Sequence, residues 1–185
     1  MAQTLYKLIK NSNKDAQIEV LSPNWSMPVL ERMEEVSRSI NSPFNHGELK
    51  LKARFDFGKQ LREEGYERAI VMTNSLKSSL IPFFAKIPVR TGWLGEMRFG
   101  LINDLRAKEK RNNLLMIEQF AKLSINTDEG INKSLPYPSL RIDSHNLKEQ
   151  LFNLGIDPEK PSLAICPGAE FGPAKKWPPS YYAEV

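Results

Sequence analysis

The 185-residue sequence is poor in the residues that build disulfide frameworks and metal sites. It contains one cysteine, Cys166, and two histidines, His46 and His145. A single cysteine excludes an intramolecular disulfide, and the absence of disulfides is usual for proteins of a reducing cytoplasm. His46 in "HGELK" lacks the second histidine of the zinc-protease pattern, and His145 stands alone, so no metal site is expected. Cys166 ends an apolar run without a histidine placed to pair with it, which predicts a core residue and not a nucleophile.

Long apolar segments are also missing. The longest apolar run, residues 80–89, contains Pro82 and Lys86 and is too short to cross a bilayer. The first residues lack the apolar core of a signal peptide and have the spacing of an amphipathic helix. The net charge is only +4, and the lysines and arginines are scattered without interleaved aromatic residues, which disfavours nucleic acid as a partner. We expect a cytoplasmic protein.

Strand and helix signals alternate along the chain. Apolar runs such as "RAIVMT" and "SLAIC" predict strands that are buried on both faces, and amphipathic segments such as "PVLERMEEV" (residues 28–36) predict helices. This order predicts an α/β fold with a Rossmann-like parallel sheet flanked by helices. A unit of this kind normally begins with a strand, and none precedes the first helix. We therefore expect the first strand to be missing.

The chain is predicted to contain two domains. Residues 128–139 are rich in Gly, Asn, Ser and Pro, as linkers are. We assign residues 1–138 to a first Rossmann-like domain and residues 139–185 to the truncated start of a second. In the second domain, "SHNLKEQLFNLG" predicts a helix capped by Ser144 and closed by Gly155, and the strand "SLAIC" follows it.

The stretch "PGAEFGPAKKWPP" lies where this last strand gives way to a helix. Gly168 and Gly172 permit backbone conformations, or close approaches, that other residues do not. The free amides of the following helical turn favour a phosphate, and Lys175 and Lys176 add positive charge. The glycine spacing is neither that of a Walker loop nor that of the dinucleotide fingerprint. Two hypotheses stand: a pyrophosphate site, or a tight turn that carries a surface lysine pair.

A second polar motif, "TNSLKSS", follows the strand "RAIVM". Asn74 and Ser75 suit helix capping or contact with an oxygen-rich ligand. Lys77 lies in the first helical turn, where the helix dipole disfavours a cation unless an anion is near. The motif therefore indicates an anionic ligand, with an exposed lysine that points to water as the alternative.

The loop "RTGWLGEMRFG" places Arg90, Trp93, Glu96 and Arg98 between glycines after the next strand. Aromatic rings stack on sugars and guanidinium groups bind forked oxygens, so the loop suits a carbohydrate or anion site. A loop that is anchored by a buried tryptophan is the alternative.

Two long blocks, "NSLKSSLIPFFAKIPVRTGWLGEMRFGLINDLR" and "CPGAEFGPAKKWPPSYYAEV", together with "LSPNWSMPVLERMEEV", closely resemble the bacterial ADP-heptose:lipopolysaccharide heptosyltransferases. The likeness covers nearly the whole chain and is weak only in the linker. These enzymes have the GT-B architecture, in which two Rossmann-like domains face each other across a cleft. The resemblance implies that residues 1–138 are an acceptor-binding domain and that residues 139–185 begin the nucleotide-sugar donor domain.

The resemblance also implies roles for the site residues. The Lys-x-Trp spacing assigns the donor pyrophosphate to Lys175, with Lys176, Gly168 and Gly172 in the same site. Lys77 falls where a related enzyme uses a lysine near its acidic acceptor. To the acceptor site we add six further residues: Asn74, Ser75, Arg90, Trp93, Glu96 and Arg98.

The implied reaction moves L-glycero-D-manno-heptose from ADP-heptose to heptosyl-Kdo-lipid A, the inner-core acceptor of lipopolysaccharide biosynthesis, with inversion. An aspartate acts as general base on the acceptor hydroxyl, and amides and Lys175 stabilise the departing ADP. ADP-heptose is the donor substrate, and neither a cofactor nor a metal is expected. We expect the protein at the cytoplasmic face of the inner membrane, in peripheral contact with that surface.

Two functional blocks of these enzymes are not found in the sequence. The aspartate belongs to a Gly-Asp-Met loop, and Met1 corresponds to the methionine that follows this aspartate. The distal Asp-x-Gly-x-x-His block is also missing. The catalytic residue is therefore unassigned, and we expect these 185 residues alone to be inactive. The alternative is a non-catalytic remnant that binds an acidic glycolipid or a partner.

Overall fold

The structure, a computed structural model, describes residues 1–106, 113–124, 134–169 and 172–184. The chain divides into two compact units, Met1–Arg141 and Ile142–Val185. All of the described strands lie in the first unit. The assignment of residues 1–138 and 139–185 to an acceptor and a donor domain stays a prediction, and part of the predicted linker lies outside the described residues.

The first unit alternates helices and strands. In chain order its elements are α1 (Ala2–Ser12), β1 (Glu19–Ser22), α2 (Met27–Leu30), β2 (Arg38–Asn41), α3 (Leu51–Leu61), β3 (Arg68–Val71), α4 (Leu76–Phe84), β4 (Val89–Trp93), β5 (Asp104–Arg106) and α5 (Met116–Ala121). Short 3-10 turns cover Asn24–Ser26 and Arg62–Glu64. None of the helices within the described residues is long and apolar enough to span a membrane.

The five strands form two parallel sheets. β1 pairs with β2, and β3, β4 and β5 pair in that order. Parallel strands joined by helices confirm the predicted α/β class, although the described strands form two ladders where a single sheet was expected. Because neighbouring parallel strands end at the same edge, the loops that follow β3 and β4 start side by side.

Strand β5 was not predicted, because it is short and polar. A chain of side-chain contacts nevertheless ties it to β3 and β4. Arg68 donates to Thr91 Oγ1 at 2.9 Å, and the Thr91 hydroxyl donates to Asp104 Oδ2 at 2.7 Å. Arg106 donates to Asp104 Oδ1 at 2.7 Å. Thr91 is fully buried, and these contacts satisfy its hydroxyl as both donor and acceptor.

The core of the first unit packs α1 against both sheets. Leu5 and Tyr6 of α1 lie in one buried cluster with Val20 of β1, Trp93 of β4 and Leu123. Since members of both sheets share this cluster, one apolar core holds the two ladders together. Burial raises the pKa of the Tyr6 hydroxyl to about 12, because the phenolate would lose its hydration.

Polar residues of α1 also hold the end of the unit. The buried Gln3 side chain donates to the Ser139 carbonyl at 2.5 Å, and its oxygen accepts from the Ser139 amide at 2.9 Å. Thr4, also buried, donates to the Pro136 carbonyl at 2.9 Å. The stretch around residues 136–139 is therefore attached to the first helix.

The helix predicted over residues 28–36 forms only within α2. Beyond Leu30, turns replace helix, and Arg141 contacts the backbone there: its amide donates to the Arg32 carbonyl at 2.8 Å and its guanidinium to the Glu31 carbonyl at 3.2 Å. Carbonyls that would accept from the next helical turn are thus satisfied by a distant residue. Such a tertiary contact cannot be predicted from the spacing of apolar residues in this part of the sequence.

The second unit contains α6 (Ser144–Asn153), a 3-10 turn over Pro173–Lys175 and α7 (Pro179–Glu184). Asp143, not Ser144, caps α6, since its Oδ1 accepts from the His145 amide at 3.0 Å and the Asn146 amide at 3.2 Å. Gly155 follows the helix with φ +66°, as a closing glycine should.

The strand predicted over residues 162–166 does not form. No strand is found in the described part of the second unit, so the segment has no neighbour with which to exchange backbone hydrogen bonds. Leu163 is 73% exposed, and Cys166 is exposed as well. The prediction of Cys166 as a core residue is therefore wrong.

Candidate functional site

A pocket of about 470 Å³ lies where the loops after β3 and β4 meet the loop before α3. It is lined by His46, Leu49, Ser75, Leu76, Lys77 and Glu96. Ser75 and Lys77 come from the start of α4, and Glu96 comes from the loop after β4. The structure thus brings together three of the residues that the sequence assigned to the acceptor site.

Glu96 is fixed in this pocket by the start of α4. Its Oε2 accepts from the Leu76 amide at 3.0 Å, so the carboxylate satisfies a free helical N–H and interacts favourably with the helix dipole. Ser75 lies at the N-cap position, and its hydroxyl forms a hydrogen bond with the Ser78 hydroxyl, with the two Oγ atoms 2.9 Å apart. A carboxylate and a lysine in one pocket suit a ligand that has both hydroxyl groups and an acidic group.

Asn74 lies next to this pocket, packed beneath the β4 loop. A Cβ added at Gly95 would stand 2.7 Å from the Asn74 carbonyl oxygen, so only glycine allows the two loops to approach so closely. The Asn74 Oδ1 atom is buried and finds no hydrogen-bond partner among the described residues. Asn74 therefore shapes the contact between the loops without lining the pocket.

The structure does not bring Arg90, Trp93 and Arg98 into the pocket. Trp93 is 3% exposed and belongs to the core. Arg98 is fully buried, and its guanidinium donates to the Thr73 carbonyl at 2.7 Å and to the Trp93 carbonyl. These contacts join the end of β4 to the loop after β3, so Arg98 supports the pocket from beneath.

Arg90 holds a neighbouring segment in a similar way. It donates to the Leu101 carbonyl at 2.7 Å and to the Ile87 carbonyl at 2.6 Å. Its guanidinium also lies over the Phe83 ring, 5.6 Å from the centroid. The contacts of both arginines are those of residues that fix loops, and a direct role of either in binding stays a prediction.

Sequence reasoning missed His46 and Leu49, because no local pattern indicates that their loop folds over the start of α4. His46 was considered only as a metal ligand. Among the described residues that line the pocket, one carboxylate accompanies it, and these parts of the chain contain no group of three His, Cys, Asp or Glu residues that could hold a metal ion.

The second candidate site lies in the second unit and is exposed. Gly172 has φ +73°, a conformation that favours glycine, and its carbonyl accepts from the Lys175 amide at 3.3 Å. Lys175 and Lys176 are exposed. Among the described residues, no atom lies within 4 Å of a Cβ added at Gly168, and its φ is not positive, so none of these residues requires glycine there.

Aromatic contacts attach the turn of residues 172–176, called the lysine turn, to α7. Trp177 packs edge to face on Tyr182, with ring centroids 4.5 Å apart, and lies 5.8 Å from the Tyr181 ring. The turn is therefore held from one side by aromatic rings, while its lysines remain accessible to a ligand.

Comparison with known proteins shows the family to which the chain belongs. Residues 54–185 match glycosyltransferase family 9 (heptosyltransferase). Over its whole length the chain is 44% identical to lipopolysaccharide heptosyltransferase 2 of Salmonella typhimurium and 42% identical to the protein of the same name in Escherichia coli. It is also similar to the solved structure of the E. coli ADP-heptose lps heptosyltransferase II, with a TM-score of 0.88 and 38% identity over 99% of this chain.

The chain spans about half the length of these proteins, 55% in each case. The structural match confirms the predicted fold class, the Rossmann-like arrangement of the GT-B heptosyltransferases. The resemblance carried by the two long sequence blocks is confirmed as well. The chain belongs to glycosyltransferase family 9.

Proposed function

We propose that this chain supplies the acceptor site and the donor-pyrophosphate turn of an inverting heptosyltransferase. The reaction moves L-glycero-D-manno-heptose from ADP-heptose to heptosyl-Kdo-lipid A in lipopolysaccharide core biosynthesis. The observation that carries the proposal is the 44% identity, over the entire chain, to a lipopolysaccharide heptosyltransferase 2.

The pocket of the first unit is the proposed acceptor site. The acceptor is a sugar that carries acidic groups and many hydroxyls. Lys77 would donate to a carboxylate or phosphate oxygen, and Glu96 would accept from a hydroxyl group. The hydrogen bond from the Leu76 amide already fixes Glu96, so little side-chain freedom is lost on binding.

The lysine turn of the second unit is the proposed site of the donor pyrophosphate. As the bond between the heptose and ADP breaks, the leaving diphosphate gains negative charge. An ammonium group beside the diphosphate therefore stabilises the transition state more than the ground state. Lys175 is proposed for this role and Lys176 for support, because both are exposed beside the turn at Gly172.

The proposed reaction needs a general base that we do not assign within these residues. By resemblance the base is an aspartate, and no matching Gly-Asp-Met loop is found in the sequence. The relatives are nearly twice as long, and the described part of the second unit lacks strands. We therefore propose that the 185 residues alone do not transfer heptose. The acceptor is a membrane lipid, and we propose peripheral action at the cytoplasmic face of the inner membrane, without a cofactor.

A chimera tests the function directly. The chain replaces the matching part of the Salmonella typhimurium relative, and transfer from ADP-heptose to heptosyl-Kdo-lipid A is measured for the chimera, the chain alone and the unmodified relative. A UDP-sugar serves as the donor control. We expect transfer by the chimera with ADP-heptose only, and none by the chain alone.

Each other outcome has a definite meaning. A chimera that unfolds cooperatively yet transfers nothing, while the relative is active, would contradict the heptosyltransferase assignment. If such a chimera and the chain still bound the acidic acceptor, the chain would be better described as a non-catalytic remnant that binds an acidic glycolipid. Turnover by the chain alone at the rate of the chimera would show that the base lies within these residues.

A further inference from the structure

The loop of residues 44–50, called the His46 loop, forms a wall of the pocket that also contains Lys77. The His46 side chain is exposed and lines the pocket together with Leu49. The sequence motifs gave this loop no function. Its backbone is nevertheless held by several side-chain contacts.

A buried arginine fixes the His46 loop from behind. Arg54 of α3 is 5% exposed, and it donates from Nε to the Leu49 carbonyl at 2.6 Å and from an Nη to the Glu48 carbonyl at 3.0 Å. Its guanidinium also lies over the Phe44 ring, 4.1 Å from the centroid. Burial lowers the pKa of Arg54, which is a sign that the charge is poorly hydrated. The chain thus buries a cation to hold a segment that is otherwise open to solvent.

Contacts within the loop fix it on both sides of His46. Glu48 accepts from the Asn45 amide at 3.0 Å and pairs with the Lys50 ammonium at 2.9 Å. The contact with Lys50 contributes most, and that with the Asn45 amide contributes next, to a pKa of Glu48 that lies below its usual value. Gly47 has φ +88°, so the turn directly after His46 depends on glycine. The imidazole is therefore presented from a backbone that these contacts hold without a ligand, which lowers the entropy that is lost on binding.

The chemistry of the pocket indicates what His46 would bind. Glu96 is the carboxylate of the pocket and is engaged by the Leu76 amide, while Lys77 and His46 supply donors. An imidazole has an N–H in either tautomer, and an ammonium has three donors. A carboxylate or phosphate offers several oxygens that accept from donors of this kind.

We propose that His46 is an acceptor-binding residue, which together with Lys77 binds an acidic group of the sugar acceptor, and that Arg54 positions the loop for this purpose. The proposal deepens the proposed function and rests on it. It adds one binding residue and one positioning residue to a site that the sequence had described only from the loops after β3 and β4.

The two histidines of the chain provide the test. His46 lies in the first unit and His145 in the second, so their C2–H resonances in proton NMR report the pocket and an internal control. The full 185-residue chain is titrated at constant pH with glucuronate, glucose 1-phosphate and neutral glucose. We expect a saturable shift of His46 with at least one of the acids, no shift of His145, and no effect of glucose.

The two acids separate the sources of the acidic group. A response to glucuronate alone assigns a carboxylate, a response to glucose 1-phosphate alone assigns a phosphate, and a response to both assigns a general anion site. Lys77→Gln should weaken the affinity about tenfold, the effect of one charge-assisted hydrogen bond. The absence of a saturable His46 shift with either acid, or equal shifts of both histidines, would overturn the proposal.

Variants distinguish binding from folding. With the Lys77 backbone amide as reporter, His46→Gln, which keeps an N–H donor, should retain most of the affinity, while His46→Leu should lose about tenfold. Arg54→Lys should keep more affinity than Arg54→Leu, at a temperature where all variants are folded. Equal affinity in His46→Gln, His46→Leu and the parent chain would overturn the proposal. Because these measurements need no donor and no transfer, their failure is independent of the chimera assay.

Discussion

The pocket of the first unit and the lysine turn of the second unit differ in the number of buried side chains that hold them. The pocket stands on paired strands, and buried groups such as Arg98 and Arg54 fix its walls. The lysine turn is exposed and is held by Gly172 and by the contact of Trp177 with Tyr182. The sequence placed both motifs at strand ends. The difference shows that the loops beside the pocket follow paired strands and are held by buried side chains, whereas the lysine turn follows a segment that forms no strand.

The largest effect is expected for Arg98→Met. The substitution removes a fully buried guanidinium and leaves the Thr73 and Trp93 carbonyls without this donor. We expect a loss of roughly 3 kcal/mol in the free energy of unfolding, measured by urea denaturation. Lys175→Met is the control in the second unit, and it should change stability by less than about 0.5 kcal/mol, as exposed sites do. Equal effects of the two substitutions would remove the contrast between the sites.

Alkaline pH should weaken the first unit through Tyr6. Burial raises the pKa of this hydroxyl to about 12, whereas an unfolded tyrosine titrates near pH 10. The stabilisation is complete below pH 10 and is lost as the pH rises through 12, for a total of roughly 2–3 kcal/mol. Tyr6→Phe should flatten this part of the profile of unfolding free energy against pH. An unchanged profile in that variant would contradict the burial of Tyr6.

A methyl group placed at Gly95 should destabilise the pocket by a smaller amount. The new Cβ would lie 2.7 Å from the Asn74 carbonyl oxygen, so the loops after β3 and β4 must move apart. We expect a loss of roughly 1–2 kcal/mol in unfolding free energy, together with a change in the His46 resonance. Gly168→Ala is the matched control, because no atom of the described residues lies within 4 Å of its added Cβ. A cost for Gly168→Ala as large as that for Gly95→Ala would show that the backbone at Gly168 is as tightly packed as the contact between the pocket loops.

The smallest effect is expected for Glu96→Gln. The amide oxygen can still accept from the Leu76 amide, but the negative charge at the start of α4 is lost. The cost should be about 0.3–1 kcal/mol at low salt, and it should shrink when salt screens the helix dipole. Unfolding of both proteins at two salt concentrations measures the difference. A cost that does not depend on salt would indicate a role other than interaction with the dipole.

Much of the fold could be predicted from local patterns. The apolar run "RAIV" and the helix that follows it were read from the sequence because both signals are local, and Ser75 and Lys77 were placed in the site for the same reason. Strand β5 was missed because its end residues, Asp104 and Arg106, form a polar network and not an apolar face. The strand over residues 162–166 was predicted from hydrophobicity alone, which cannot reveal whether a neighbouring strand is present.

The site was predictable only as far as it follows strand ends. Glu96 was found by its position in a glycine-bounded loop, but nothing in the sequence indicated that Arg98, two residues later, would turn inward to backbone carbonyls. His46 reaches the pocket through a loop that Arg54 holds, which is a tertiary contact without a periodic signal. Prediction from sequence therefore recovers the residues that a strand positions and misses those positioned by another side chain.

The proposed assignment of the acceptor to the first unit and of the donor pyrophosphate to the second is tested most directly by the kinetics of the chimera. Lys77→Gln should raise the KM for the acceptor about tenfold and leave the KM for ADP-heptose unchanged. Lys175→Gln should lower kcat by a larger factor than it raises the KM for ADP-heptose, and it should leave the KM for the acceptor unchanged. If Lys175→Gln altered only the acceptor KM, or if neither substitution changed any of these constants, the assignment of the acceptor to the first unit and the donor pyrophosphate to the second would be contradicted.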